Sequence, residues 1–594
     1  MFDQPPEQII TEQTAQKIER EILDFMASHD RLRLFRAETG TGKSLGIRSY
    51  LEKGTDLRIA ILVYSINEIN ELWERLEAAL PTTKICGWSK DHDQKELNTS
   101  TVYKRTYKED LRSAQIAIVT HAFISAGNKH YLGDRDLYLV DENPSWDKFD
   151  RLKPEDFTKA IDRLNASNTA TNRDKYAALT GMMQTMEPEL DFTPMSDPLL
   201  SSMAESIRAL ARDIDSQNHS GLSREQKRIS MLSEAIQHDR AVLCKAGNLM
   251  QHNEGYTVHI SYLHEDPLLT EKVVIFSATA HLGGYTALGS KSLPSTVSVN
   301  YQNLEIVKLR YPNINKQSKQ LTTSDKGTVT SIVDQIIRQT TGDLLVIGHR
   351  SWHKWITKSV YENHVFYKEE NPNYEKMSEI QLVERKIFFT YHGKDVGSNR
   401  FRTCKEVIYL GLFYTAKEVD VMGTLYHINK AIDATALEGA QGKGLTSHFA
   451  TYRRNKLMEE FKQMLARGHC REINPDGIAK PMRAWVMLNK AEWLYEKVQS
   501  LFPFCKVGNQ HSIKYPEALP TKSSEKVIET LQRLPREKVN ITVTELEALI
   551  KTKFGTGPTL RNHSKDISTW IQGTGWKYEA GRRGKGNEAK FVRR

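Results

Sequence analysis

Cysteine is scarce in this chain of 594 residues: there are five, Cys86, Cys244, Cys404, Cys470 and Cys505, and no two form a CxxC pair. Scattered and odd in number, they lack the ligand spacing of a disulfide framework, a zinc ribbon or a four-thiolate iron–sulfur cluster. Buried thiols in a reducing compartment are expected instead. No run of 18 apolar residues occurs, which argues against a membrane span. The opening MFDQPPEQII has neither a basic stretch nor an apolar run, so no secretory leader is expected. Glycine (34) and proline (19) are modest beside 39% hydrophobic and 26% charged residues, which excludes collagenous, low-complexity and disordered classes. A cytoplasmic protein of roughly three to five domains is the expectation.

The formal charge of +9 is unevenly placed: residues 521–594 hold 16 Lys and Arg against 8 Asp and Glu. Nearly the whole basic excess therefore sits in the last eighth of the chain, as in an appended nucleic-acid-binding module. A basic tail serving only solubility is the plainer reading of composition alone.

Short β-branched and aromatic runs punctuate the N-terminal third: RLRLF (31–35), RIAILVYS (58–65), IAIVT (116–120), LYLVD (137–141) and, later, VVIFS (273–277). Helical stretches such as 68–80 intervene, so a parallel sheet covered on both faces is expected. Residues 151–270 change character. Met203, Ile207, Leu210 and Ile214 recur at helical spacing, as do Ile229, Leu232 and Ile236, and the stretch reads as a helical insertion. Strand-like runs resume at 343–349, 386–392, 406–414 and 483–489, giving a second α/β unit before a linker near 507–525. The expected divisions are 1–150 with 271–295, 151–270, 296–510 and 521–594.

Directly after the first strand comes Ala37-Glu38-Thr39-Gly40-Thr41-Gly42-Lys43-Ser44, opening into LGIRSYLEK. Glycines let backbone N–H groups converge on phosphate oxygens, and a following helix N-terminus adds partial positive charge. Lys43 can reach the terminal phosphates of a nucleotide, and the Ser44 hydroxyl can ligate Mg²⁺. Thr39, Gly40, Thr41 and Gly42 complete this loop. Asp141 and Glu142 end the strand LYLV, where a carboxylate faces the ligand crevice of an open α/β sheet. Asp141 suits the Mg²⁺ shell, and Glu142 suits orienting a water and accepting its proton.

With these two motifs in order, the chain resembles the superfamily 2 helicases, whose fold is two RecA-like P-loop domains. Further pieces fit. Ser277-Ala278-Thr279 matches their SAT motif, which the resemblance makes a link between nucleotide and nucleic acid. Tyr64-Ser65 and Thr120-His121 end strands where the family touches nucleic-acid backbone, and Gln13 resembles its adenine-reading glutamine. In the second unit Gly348-His349-Arg350 follows a strand, and Gly393–Arg400, with Gly397 toward the nucleotide, resembles motif V. Gln463-Met-Leu-Ala-Arg467-Gly-His-Cys-Arg471 resembles motif VI with one residue extra in its second interval. Both arginines are expected on one helical face, Arg471 as the finger on the γ-phosphate and Arg467 as its neighbour. The resemblance implies ATP and Mg²⁺ as ligands, and a single strand lying across both units at Ser65, Thr120 and Arg350.

The position of the 151–270 insertion resembles the arch of XPD- and DinG-like helicases. The interval that carries their iron–sulfur cysteines holds only Cys86 here, so no cluster and no zinc are expected. A helix over 543–554 (Leu546, Leu549 and Ile550 inward), a second one through Ile571 and a hairpin with the tip GRRGKGN look like a winged helix. Arg561 and Lys565 would face duplex DNA from its polar side, with Arg582, Arg583 and Lys585 on phosphates. The reading is an ATP-dependent DNA helicase or translocase, with mobile-element replication as a context. Its rivals are a duplex translocase or RNA helicase, and an ATP-gated DNA-binding initiator that does not unwind. No membrane partner is expected.

Overall fold

Runs of four to seven aliphatic residues are too short to stand as helices and are apolar on both faces, so they can be satisfied only as strands inside a covered sheet. A computed structural model of the chain describes residues 6–593 except 37, 39–40, 93–105, 143–148, 168–170, 186–190, 217–221, 248–255, 265–267, 269, 280–281, 283–290, 294–298, 311–313, 315–320, 322, 366–371, 394–399, 429–431, 433–436, 438–446, 475, 490, 510–522, 533, 535–537, 555–559, 561–566, 572–573 and 581–588.

Seven parallel strands make the first sheet, in the order Lys291–Leu293, Leu32–Phe35, Val273–Phe276, Leu137–Asp141, Ile59–Val63, Ile116–Thr120 and Ile85–Trp88. All five runs read from the sequence are present. The two edge strands, Lys291–Leu293 and Ile85–Trp88, are additions; the latter packs closely on a helix. Its Gly87 permits close packing, since a Cβ there would lie 2.5 Å from the Trp73 ring of the Ile66–Ala79 helix.

The second sheet runs Glu379–Gln381, Lys386–Tyr391, Leu344–Gly348, Glu406–Leu410, Met482–Leu488, Leu304–Arg310 and Lys506–Asn509. Only its Glu379–Gln381 edge is antiparallel. Each sheet buries an apolar cluster on either face. The expected architecture of two parallel α/β lobes is therefore observed.

The insertion holds the two amphipathic helices read from its stripes, Ser201–Asp215 and Arg224–Gln237, with all seven stripe residues buried. It is not helical alone. Phe149–Leu152, Phe192–Pro194, Ala241–Gly247 and Tyr256–Leu263 form a four-stranded antiparallel sheet. These strands escape a reading by apolar runs because polar residues interrupt them; His259 and Ser261 are nonetheless buried within Tyr256–Leu263.

The insertion is fastened to the second lobe. Glu418, in the first turn of the Lys417–Ile428 helix, accepts from His259 Nε2 at 2.9 Å and also from Ser261 Oγ and the Arg151 guanidinium. Cys244 brings a third metal-ligand type of atom near His259 and Glu418, all within 4.8 Å of one another. The Glu418 carboxylate is already met by three donor side chains, so this cluster is a clasp. Val421, Met422 and Leu425 of the same helix enter the apolar cluster that Leu62, Val119 and Tyr138 of the first sheet share with Val242 and Leu263.

The C-terminal residues fold around their own core of Val527, Leu531, Ile541, Leu546, Ile550, Ile567, Trp576 and Phe591. Their order is helix Ser523–Gln532, strand Asn540–Thr542, helix Val543–Phe554, helix Ile567–Trp570, then strands Trp576–Glu579 and Lys590–Arg593. The strands form an antiparallel sheet with Lys590–Arg593 central. The 543–554 helix has the expected bounds, but Leu549 is 42% exposed rather than inward. With Leu546 and Ile550 both in the core, position 549 falls at the margin of their stripe.

Candidate nucleotide site at the lobe seam

The loop after Leu32–Phe35 turns sharply before it becomes a helix. Thr41 is buried, and both its N–H and its hydroxyl bond the Glu38 carbonyl, at 3.3 and 2.7 Å. Gly42 then caps the Lys43–Glu52 helix with φ +81°. A side chain tolerates that left-handed backbone poorly, which is the physical need for glycine here. Thr39 and Gly40 lie outside the described residues.

Lys43 opens the helix and points at the acidic pair. Its Nζ lies 2.8 Å from Asp141 Oδ1, 2.5 Å from Glu142 Oε1 and 3.2 Å from the Phe276 carbonyl. Burial alone would lower its pKa, but the Asp141 and Glu142 charges reverse this and hold it above the ordinary lysine range. Ser44 Oγ donates to Asp141 Oδ2 at 3.1 Å. Glu142 follows the strand end with φ +68°, a conformation uncommon outside glycine. That turn aims its carboxylate back, so that Oε2 accepts from Ser277 Oγ at 3.2 Å while its N–H bonds the Phe276 carbonyl. Ser277 Oγ also lies 3.1 Å from Thr279 Oγ1, and both residues are buried. The loop, the acidic pair and the SAT residues thus form one connected network.

The second lobe closes on this network through the Ser447–Leu465 helix. Its lobe-2 face is fixed by Glu460, which accepts from Tyr409 Oη at 2.5 Å and lies 2.8 Å from His392 Nδ1. From the same helix Gln463 Nε2 donates to Thr279 Oγ1 at 3.1 Å, and that hydroxyl lies 3.2 Å from Glu459 Oε1. Elsewhere along the seam Tyr64 Oη reaches the Gly393 carbonyl at 3.4 Å.

The two arginines do not share a helical face, contrary to expectation. The helix ends at Leu465, Gly468 is extended, and Arg471 sits in the separate turn His469–Arg471. A Cβ on Gly468 would meet Met482 Sδ at 2.4 Å and the Cys404 carbonyl at 3.0 Å. This close approach to the second sheet carries the chain off the helix, and the extra residue of the interval belongs to the turn. Arg467 is buried, its Nε bonding the Gln463 carbonyl, and its charge acts on Glu460. Arg471 sits in a different electrostatic setting. Burial lowers its pKa, while the charges of Glu142, Asp141 and Glu68, all from the first lobe, act in the opposite sense.

The remaining sequence-derived residues are dispersed. Gln13 lies on the Pro6–Ala27 helix, its side chain outside the described residues. Ser65 caps the Ile66–Ala79 helix in a reciprocal box with Glu68. Thr120 precedes the His121–Ser125 helix without a side-chain cap. Arg350 is exposed, its guanidinium 5.8 Å from the Tyr391 ring centroid. Gly397, Arg561, Lys565, Arg582, Arg583 and Lys585 lie outside the described residues. Glu38, Glu68, Glu459 and Lys462 were not read as site residues. Each is an ordinary charged residue in sequence, and the contacts of Glu38, Glu459 and Lys462 across the seam have no local signal.

The donor set suits a nucleotide and Mg²⁺. The Ser44 hydroxyl and the Asp141 carboxylate are hard oxygen donors already converged. Lys43, now held by two carboxylates, is a cation placed to meet phosphate.

No family model and no curated protein matches the chain. Among solved structures, S. tokodaii Xpd4 is 11% identical, covering 83% of this chain and 99% of its own, with a TM-score of 0.49. S. cerevisiae Dbp5 bound to RNA and ADP BeF3 is 10% identical over 83% of this chain and 89% of its own, with a TM-score of 0.34.

Proposed function

We propose that the chain is an ATP-hydrolysing motor that moves on or unwinds nucleic acid, with DNA as its substrate. One observation carries this reading: Lys43 of the phosphate loop meets Asp141 and Glu142, and Gln463 of the second lobe reaches the same network through Thr279 and Ser277. The two lobes thus meet at one acidic centre, toward which the electrostatics of Arg471 also point. Lys43 would exchange its carboxylate partners for the β- and γ-phosphates, and Ser44 and Asp141 would hold Mg²⁺. Bound there, the ion neutralises phosphate charge. Glu142, oriented by Ser277, would take the proton of the attacking water. Arg471 would offset charge developing on the transferred phosphoryl, an effect typically worth about 10³–10⁵ in rate. Because Arg471 comes from the other lobe, hydrolysis and lobe closure are one event. A strand lying across both lobes would be gripped differently before and after it.

The C-terminal order of helix, strand, two helices and two strands fits a winged helix, and its surplus of basic residues favours a duplex anchor. Turnover of the full chain is measured with and without single-stranded DNA or RNA, and displacement is followed on duplexes with 3′ or 5′ tails. DNA-stimulated hydrolysis that Lys43→Ala lowers at least 100-fold is expected. Glu142→Gln should retain ATP binding and stall turnover. Hydrolysis unaffected by both substitutions would refute the reading. Hydrolysis without displacement on any tailed duplex would favour the non-unwinding translocase.

A further inference from the structure

The phosphate loop has an ionic contact with the opposite lobe, made by residues to which no step above gives a role. Glu38 stands inside the loop motif, and Lys462 stands one residue before Gln463 on the Ser447–Leu465 helix. Their charged groups meet at 2.7 Å. Glu38 is 5% exposed and Lys462 0%. Long charged side chains are almost never buried to this degree unless paired. Burial lowers the Lys462 pKa, and Glu38 is its main support.

Glu38 is placed to transmit what it feels. Its carbonyl receives both Thr41 bonds, and so sets the turn that delivers Gly42 and Lys43. Its carboxylate has a second partner in its own lobe, Arg36, at 3.3 Å. Were the lobes to part, Arg36 would still answer the Glu38 charge, whereas Lys462 would lose this counter-charge. On the helix, Lys462 is next to Gln463 and three residues from Glu459, both at Thr279. One turn of helix thus grips the first lobe twice, at the loop and at the SAT hydroxyl.

We infer that Glu38 and Lys462 are positioning residues: their ion pair across the seam registers the phosphate loop against the arginine-bearing helix in the hydrolysis-competent state. This rests on the ATPase reading proposed above, and it adds two residues and a reason for their burial. The pair forms only on closure, so it acts on turnover rather than on capture of the nucleotide by the first lobe. Buried pairs also penalise a missing partner more than they reward a present one. Removing Lys462 alone should therefore do more harm than removing both charges.

The test uses the full chain with saturating single-stranded DNA. It compares wild type, Lys462→Met, Lys462→Arg and the double variant Glu38→Gln/Lys462→Met. Turnover at saturating ATP, the dissociation constant of a fluorescent ATP analogue and the melting temperature are measured for each. Lys462→Met should lower kcat at least tenfold while analogue affinity stays within threefold. Lys462→Arg and the double variant should recover to within about threefold of wild type. If Lys462→Met does not fold, Glu38→Gln, which leaves Lys462 as the uncompensated charge, takes its place with the same expectations. A purely structural pair would lower the melting temperature and leave kcat of the folded protein unchanged, and that result overturns the inference. A double variant no better than the single one also overturns it. Wild type without any hydrolysis would instead remove the ATPase reading and this inference with it.

Discussion

Gln463 of the second lobe donates to the Thr279 hydroxyl of the first at 3.1 Å. Thr279 is in turn 3.1 Å from Ser277, which donates to Glu142. Three side chains thus connect the lobe seam to the carboxylate proposed to handle the attacking water. Such a chain has physical content only if it has two arrangements that differ between states. In the motor proposed above, lobe opening would supply the second by breaking the Gln463 contact.

Thr279→Val removes the hydroxyl while keeping the branched volume. Basal ATP hydrolysis should stay within about threefold of wild type, and stimulation by DNA should fall roughly tenfold. Turnover titrated with single-stranded DNA checks this, and retained stimulation would show that the contact is incidental.

Arg471 and Arg467 should separate in kinetics as they do in space. Arg471→Ala should lower kcat by about 10³ with little change in nucleotide affinity, as loss of a phosphoryl-facing arginine does. Arg467 lies toward Glu460 within the second lobe. Its removal leaves buried partners without their cation, so Arg467→Ala should lower the melting temperature more than Arg471→Ala and cost turnover less. Equal kinetic losses would contradict this division.

Truncation before residue 521 removes a unit with its own core. Hydrolysis stimulated by single strands should persist, and duplex affinity should fall at least tenfold in 100 mM salt. The slope of log affinity against log salt should flatten, because each lost phosphate contact no longer releases a counterion. Fluorescence anisotropy across a salt series measures both.

His349 gives a pH prediction. Burial first, then the neighbouring His392, lower its pKa from 6.5 to about 4, with Glu460 partly opposing. The Trp352 ring packs beside it. A depressed folded pKa means that the unfolded chain takes up the proton first. The stability contributed by neutral His349 is therefore complete above about pH 6.5 and is lost as pH falls toward 4. At pH 5 the loss should be about 1 kcal/mol after discounting for partial solvation. The melting temperature should drop between pH 7 and pH 5 in wild type and less in His349→Gln.

Much of the first lobe was legible because its signals are local. A strand, a glycine loop and a helix follow one another within twenty residues, and Asp141-Glu142 ends an unbroken apolar strand. The insertion was half legible: its helices announce themselves by periodicity, whereas its strands bury histidine and serine against Glu418 of a distant helix. Trp352 is core packing, buried against His349 and Trp355.

The sequence by itself determined most strands of the two sheets, the loop that ends at Gly42, and the residue types gathered around Lys43, because these depend on backbone preferences and patterns a few residues long. Only the tertiary structure separated Arg471 from Arg467 and brought Glu38 and Lys462 together. Glu38 and Lys462 lie more than four hundred positions apart, and Arg471 sits in its own turn because Gly468 packs on Met482. Such contacts are fixed by how two separately folded surfaces fit, and no local pattern encodes that fit.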